Sequence, residues 1–464
     1  MKLKLIKTDQ TRTNTRILLL LFVGVLMGAL DLSMVGPVLP AIEKSMQIHG
    51  HNLTWIFSIY LMFYLFGLPI MSKLSDIHGR KSIYIVSLTI FGFGSLLVFL
   101  SHDIKVLLIG RAIQGFGSSG VFPVAAATIG DVFPVEKRGR ALGILGAVYG
   151  IAFILGPIIA GTMLHFFNWN VIFLINTPIV VFLIFFGVRL LPGKPLGEKP
   201  TMNWIGIILM VIVLSSFSLA INNIDVTNVI ASMVSITVLP FLISVLILTP
   251  ILVRYERKQE NSFLSTEFFK SKQLRLVGII SFGLGLFQSS IVFIPKLAVG
   301  LFNVTPSKAS FMLIPLVLST AIIPPISGRL LDKIGSRIII VGGLIFAVIS
   351  LIMFSLLSKH ITLFYAAEAA LGIGLAIRSS LKYILLNEIA AKERAASLGM
   401  LIVFISLGQL TGAALIGIII SGSGTPIIGF GSAFLNLTII TGLLVLLSFF
   451  LKNRKKEMAT NVSN

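Results

Sequence analysis

Long apolar runs, each closed by a short polar break, fill this chain from about residue 17 to residue 451. A helix needs ~20 apolar residues to cross ~30 Å of hydrocarbon. By that rule fourteen runs predict membrane-spanning helices, at 17–40, 53–72, 82–101, 104–129, 141–163, 171–188, 203–221, 227–252, 276–296, 309–327, 338–357, 361–386, 396–421 and 427–451. With the N-terminus inside, alternating loops put both termini in the cytoplasm. No soluble domain fits anywhere. The longest polar stretch, Val253–Arg275, predicts a cytoplasmic linker, and its start (Tyr255-Glu256-Arg257-Lys258-Gln259-Glu260) caps or extends a helix.

The polar breaks contain a repeat. Ser72-Lys73-Leu74-Ser75-Asp76-Ile77-His78-Gly79-Arg80-Lys81 returns in weaker form as Gly328-Arg329-Leu330-Leu331-Asp332-Lys333-Ile334-Gly335-Ser336-Arg337, with Asp76 and Asp332 separated by 256 residues. Each copy ends one apolar run and begins the next, which predicts two related halves, an architecture typical of membrane carriers. Arg111–Gly117 and Glu368–Gly374 align at nearly the same displacement, as do Asp131 with Glu388, Gly156 with Gly412 and Gly161 with Gly417. Six helices with short loops occupy roughly 180–190 residues. The surplus in the repeat leaves room for one extra helical pair, which 203–252 supplies. The predicted organisation is a six-helix bundle at 1–192, an added hairpin and linker at 193–275, and a second six-helix bundle with a basic tail at 276–464.

Composition agrees with an all-α integral membrane protein: 56% of residues are hydrophobic, 12% are charged, and mean hydropathy is +1.01. A soluble domain has too much surface for its volume to hide so much apolar material. The net charge of +20 suggests a polyanionic partner only until the charges are placed. Among 37 Lys and Arg, only Lys44, Lys308 and Lys359 fall in external loops. This positive-inside bias orients the protein against an anionic inner leaflet and requires no nucleic acid. Met1–Arg16 is basic and precedes an apolar run, but no small-residue cleavage site follows, so the run reads as a retained first span. Cysteine is absent, the six His are scattered, and no Gly-rich phosphate loop occurs. The residues therefore point away from an enzyme and from any metal or organic cofactor, leaving an ion gradient or the substrate's own gradient as the energy source.

Several motifs resemble the major facilitator superfamily, and specifically its fourteen-helix drug:proton antiporters. The 72–81 hairpin is similar to the superfamily's loop between helices 2 and 3, with Ser72 where Gly is usual. Leu107–Gly117 resembles the helix 4 motif with its intramembrane arginine. Gly146, Gly150, Gly156, Pro157 and Gly161 are spaced like the antiporter motif of helix 5, with Ala160 in place of one glycine. Leu30–Pro40 resembles the helix 1 motif of drug exporters, and Trp169–Pro178 their entry to helix 6. The resemblance implies two pseudo-symmetric six-helix bundles plus a hairpin. It also implies a cell-membrane exporter, monomeric, that exchanges protons for amphipathic or hydrophobic drugs. Tetracycline exporters carry an acidic residue four positions before the helix 5 proline, where this chain has Phe153. A lipid or glycolipid exporter of the same fold is the alternative.

Intramembrane charge is expensive, so each such residue is a functional candidate. Asp31 lies fourteen residues into the first run, ~21 Å from the inner face, and Arg111 seven residues into the fourth, ~10 Å from the outer. The two share a depth, which predicts a direct or water-bridged pair for proton coupling, with a static packing pair as the alternative. Glu368 holds the place of Arg111 in the second repeat and is a candidate for a substrate cation or a second proton. Arg378 and Lys382, four apart on one helix face, suit an anionic headgroup, although Lys382 also reaches the inner lipid surface by snorkelling. Lys296, after Pro295, reads as interfacial. Asp76, Gly79 and Arg80, with Asp332 and Arg337 in the second copy, are candidates for a cytoplasmic latch. Asp76 is expected to cap a helix or pair with Lys137, Arg138 or Arg140. The helix 5 glycines permit close packing and Pro157 a bend, and the resemblance implies that this segment seals the path against leak. Phe (35) and Met (14) supply adaptable apolar surface for a permissive cavity.

Overall fold

The computed structural model describes residues 2–48, 51–193, 203–224, 228–259, 271–357, 359–389 and 394–454. Among them there are helices and no strands. The long helices are α1 (Lys2–Met46), α2 (His51–His78), α3 (Arg80–Phe99), α4 (Ile104–Val132), α5 (Val135–Phe166), α6 (Val171–Leu190), α7 (Trp204–Asn222) and α8 (Leu239–Glu256). They continue as α9 (Lys272–Phe302), α10 (Pro306–Leu331), α11 (Ser336–Ser355), α12 (Ile361–Glu388), α13 (Arg394–Ser421) and α14 (Pro426–Ser448). Thirteen helices are long and apolar enough to cross a membrane over their described residues. The remaining predicted run, 141–163, lies inside the 32-residue α5.

Several helices overrun their predicted ends, α1 reaching Met46 and α2 His78, and one run begins differently. The eighth run, expected from residue 227, opens instead on a separate short helix, Val229–Met233, capped by the Asn228 side chain accepting from the Ala231 amide. A turn follows, and α8 begins at Leu239 with Pro240 in its first turn, where the missing N–H costs nothing. The same device restarts two spans that break inside the membrane. α9 passes through a 3-10 turn at Ser289–Val292 and resumes at Ile294 with Pro295. α10 breaks at Leu313 and resumes at Ile314 with Pro315.

The chain divides into two compact units, Met1–Met46 with Ile59–Ile207, and Gln47–Ser58 with Ile208–Asn464. Within the first, α1 packs on α5, and α3 on α4 and α6. Within the second, α9 packs on α13, and α11 on α12 and α14. The close approaches repeat residue by residue. A side chain at Gly115 of α4 would collide with the Tyr60 carbonyl, and one at Gly372 of α12 with the Leu316 carbonyl. Gly156 of α5 sits against Ser33, and Gly412 of α13 against Ser289 and the Leu286 carbonyl. Both glycine pairs keep the displacement read from the sequence, so the repeat is a repeat of packing. α8 stands apart from this pattern. Its Ser244 meets Ser216 of α7 at 3.1 Å, and its face is open, with Leu246 76% exposed.

Candidate functional site

The first unit buries an ion pair completely. Asp31 of α1 and Arg111 of α4 are each 0% exposed, and Arg111 Nη1 donates to Asp31 Oδ2 at 2.7 Å. Charges withdrawn from water need further hydrogen bonds, or the desolvation cost exceeds the attraction. Here α4 supplies two, because Gln114 lies one turn beyond Arg111: its Oε1 accepts from Arg111 Nη1 at 2.9 Å and its Nε2 donates to Asp31 Oδ1 at 3.1 Å. Asn176 of α6 donates to the same Oδ1 at 3.0 Å. Ser95 of α3 accepts from Gln114 at 2.7 Å and from Asn176 at 3.3 Å. The guanidinium stacks over the Tyr60 ring of α2, 4.2 Å from its centroid, so its flat face is covered as well. Five helices thus converge on one carboxylate and one guanidinium. Next to it, Ser33 donates to the Ala152 carbonyl of α5 at 2.9 Å, beside the Gly156 contact.

The second unit places Glu368 of α12 differently. It is also 0% exposed, but neither carboxylate oxygen makes a hydrogen bond of ordinary geometry. Its neighbour is the backbone amide of Leu316, in the first turn of the resumed α10 segment, where amides lack helical partners. Arg378 lies ten residues further along α12, ~15 Å away at 1.5 Å per residue, so the two are not one cluster. Its Nη2 donates to Oε1 of the buried Gln288 of α9 at 3.1 Å. Lys382 is exposed.

At the α2–α3 turn, Gly79 adopts φ 94°, which favours glycine, and Gly335 repeats it at φ 83° between α10 and α11. Arg80 pairs with Asp76, donates to Ser75 Oγ at 2.7 Å and reaches Asp131 Oδ2 at the end of α4 at 2.9 Å. Asp76 therefore pairs within its own hairpin, and the arginine makes the link to the next loop. The side chains of Lys137, Arg138, Arg140 and Asp332 lie outside the described residues, as do the surroundings of Gly146 and Gly150, while Pro157 and Gly161 are buried in α5. In the second copy Ser336 replaces the arginine, and the link is rebuilt from the far end of the chain. Lys452 pairs with Glu388, the Lys452 amide donates to Gln273 Oε1 at 3.0 Å, and Arg454 bonds the Lys333 carbonyl. Arg337 lies 5.7 Å from the Phe449 ring centroid.

Residues 21–299 and 275–463 both match the model of the Major Facilitator Superfamily. The chain belongs to that superfamily. It is 29% identical over 368 residues to the riboflavin transporter RibZ of Clostridioides difficile, covering 78% of each chain. It is 28% identical over 350 residues to multidrug resistance protein 3 of Bacillus subtilis, covering 75% of this chain and 68% of that one. The solved nucleoside transporter NupG matches 95% of this chain and 100% of its own at a TM-score of 0.66 and 14% identity, a likeness of fold alone. This member of the Major Facilitator Superfamily is a multi-pass membrane transporter for a small molecule and not an enzyme, and transporters of the superfamily need no cofactor.

Sequence reasoning singled out Asp31 and Arg111 and missed their partners. Gln114 and Asn176 lie inside the quoted motifs, and a buried charge one turn from an amide was the available signal. Ser95 gave none, because serine is common in membrane helices.

Proposed function

We propose that this transporter is a proton-coupled exporter that moves amphipathic or hydrophobic compounds out of the cytoplasm by alternating access. The carrying observation is the buried Asp31–Arg111 pair with its amide clamp. Protonating Asp31 removes the charge that holds Arg111, and frees Gln114 and Asn176 to change partners, so one proton alters contacts on five helices at once. Relatives named as multidrug proteins support the drug class, while the riboflavin relative widens it. Glu368, fully buried, supplies no cation preference to this reading. Under this reading Asp76, Gly79 and Arg80, with Asp332 and Arg337, form the cytoplasmic latch. The α5 segment around Pro157 is the seal, and α7 and α8 are an added pair outside two six-helix bundles. The protein is a monomer in the cell membrane with both termini inside.

The test is transport in proteoliposomes with and without a pH gradient. Asp31→Asn keeps volume and hydrogen-bonding capacity but exchanges no proton, so uphill efflux should fall at least about tenfold, a barrier change of ~1.4 kcal/mol, while downhill counterflow persists. Undiminished uphill transport by that variant moves coupling elsewhere. Orientation is checked separately by reporter fusions, cytoplasmic at Lys199 and Glu260 and external at Asp225. A cytoplasmic signal at Asp225 removes the added pair.

A further inference from the structure

We propose that the inner half of α12, Ile377–Glu388, forms a binding site for the anionic group of an amphipathic ligand, with Arg378 and Lys382 as its charged contacts. This deepens the exporter reading by naming the ligand's charge, and rests on that reading for the direction of transport.

The argument starts from the two faces of this segment. Ile377, Ser380, Leu381, Ile384 and Leu385 are buried and recur at helical spacing, so they form the packed side. The opposite side carries Arg378, Ser379, Lys382 and Tyr383, followed by the exposed Leu386. A membrane helix that turns its second face to lipid keeps that face apolar, because charged side chains at depth are costly. An amphipathic segment inside a spanning helix therefore turns its charged side to water or to the headgroup region. The charged side continues onto neighbouring helices of the same unit: Gln288 of α9 holds Arg378, and Ser327 of α10 lies 3.5 Å from Ser379.

The charges do not belong to the repeated scaffold. The equivalent positions of α4 are Val121 and Ala125, both buried and apolar. The second unit thus adds two cations where the first packs carbon. Gln288 is a neutral amide, so it aims the guanidinium without itself cancelling the charge, and Lys382 has no hydrogen-bond or ion-pair partner among the described residues. Of the two acids of this helix, Glu368 is fully buried ~15 Å away and Glu388 is paired with Lys452. The charge this face offers a ligand is positive. Arg378 supplies a planar fork suited to carboxylate, sulfonate or phosphate, Lys382 a mobile point charge, and Tyr383 with Leu386 the apolar surface beside them.

The experiment uses three probes with one aromatic body: dansyl-taurine (anionic), dansylamide (neutral) and dansylaminoethyl-trimethylammonium (cationic). Binding to the full chain in phosphatidylcholine nanodiscs is followed by dansyl fluorescence, and efflux by proteoliposome assay. Dansyl-taurine should bind most tightly. Arg378→Gln should weaken its binding about tenfold or more and Lys382→Gln several-fold, with Lys382→Arg retaining it and dansylamide changing less than about twofold. A preference for the cation, equal losses for anion and neutral probe, or no binding of dansyl-taurine overturns the proposal. An unchanged Lys382→Gln with a large Arg378→Gln effect overturns the paired site and leaves Lys382 as a lipid-snorkelling residue. Competition by phosphatidylglycerol added to the nanodisc marks a lipid headgroup as the natural anion, and absence of competition marks a free one. Charge-selective binding without pH-driven efflux refutes the exporter reading alone, because the site then stands on a transporter driven otherwise.

Discussion

Arg111 and Glu368 hold one position in two copies of the same packing, yet the surroundings differ in kind. Around Arg111, polar side chains of α1, α3, α4 and α6 bond one another in a buried network. Around Glu368 the equivalents of Asp31 and Gln114 are Phe287 and Leu371, both fully buried hydrocarbon. The glycine contacts that set helix spacing are kept in both units, whereas the charged chemistry is kept in one. Scaffold and chemistry are therefore separable here. The second unit places its accessible charge a few turns away, on the inner half of α12.

The contrast is broken most severely at Arg111. Arg111→Ala leaves Asp31 buried without its cation, and removing one member of a buried pair costs about 3–5 kcal/mol. Thermal unfolding of the detergent-purified protein should show that loss, and Arg111→Lys should recover only part, because an ammonium has no flat face to stack on the Tyr60 ring. A stability near that of the unmodified protein would mean the network is not what holds those helices.

A smaller effect is expected at the twin position. Glu368→Gln orphans no described cation, so its stability should change by less than about 1.5 kcal/mol, within the range of an ordinary hydrogen-bond adjustment. If Glu368 carries a second proton, the same variant lowers the number of protons exchanged per substrate without unfolding the protein. Equal destabilisation of Glu368→Gln and Arg111→Ala would erase the distinction drawn between the two units.

The smallest effect belongs to the cytoplasmic ends. Lys452 is about one-third exposed in its pair with Glu388, so Lys452→Ala should cost no more than about 1 kcal/mol. The loss should shrink as salt is raised. A loss exceeding that of Glu368→Gln would show that the tail does more than replace the arginine absent at Ser336.

What the sequence revealed follows from what lipid imposes. Span length and the repeat were legible because hydrocarbon thickness and the polar hairpin leave marks in composition. The depth argument brought Asp31 and Arg111 to one level, and the structure joins them. The breaks at Ser289–Val292 and Leu313 and the late start of α8 are marked in the sequence only by Pro295, Pro315 and Pro240, which a count of apolar residues passes over. The burial of Glu368 depends on how α12 is rotated about its axis. Its outer half, Ile361–Leu375, is apolar nearly all round and gives no face to read.

Asp31 and Arg111 are 80 residues apart in the chain. At synthesis rates of about 5–20 residues per second, the carboxylate leaves the ribosome ~4–16 s before its cation does. α1 must therefore enter the bilayer with an unmatched aspartate, a cost of about 2.5–3.5 kcal/mol near the middle of a span. The unbroken apolar stretch Ile17-Leu18-Leu19-Leu20-Leu21-Phe22-Val23 lies just before it. At about 0.3–0.6 kcal/mol gained per such residue, that stretch offsets the aspartate at the moment of insertion.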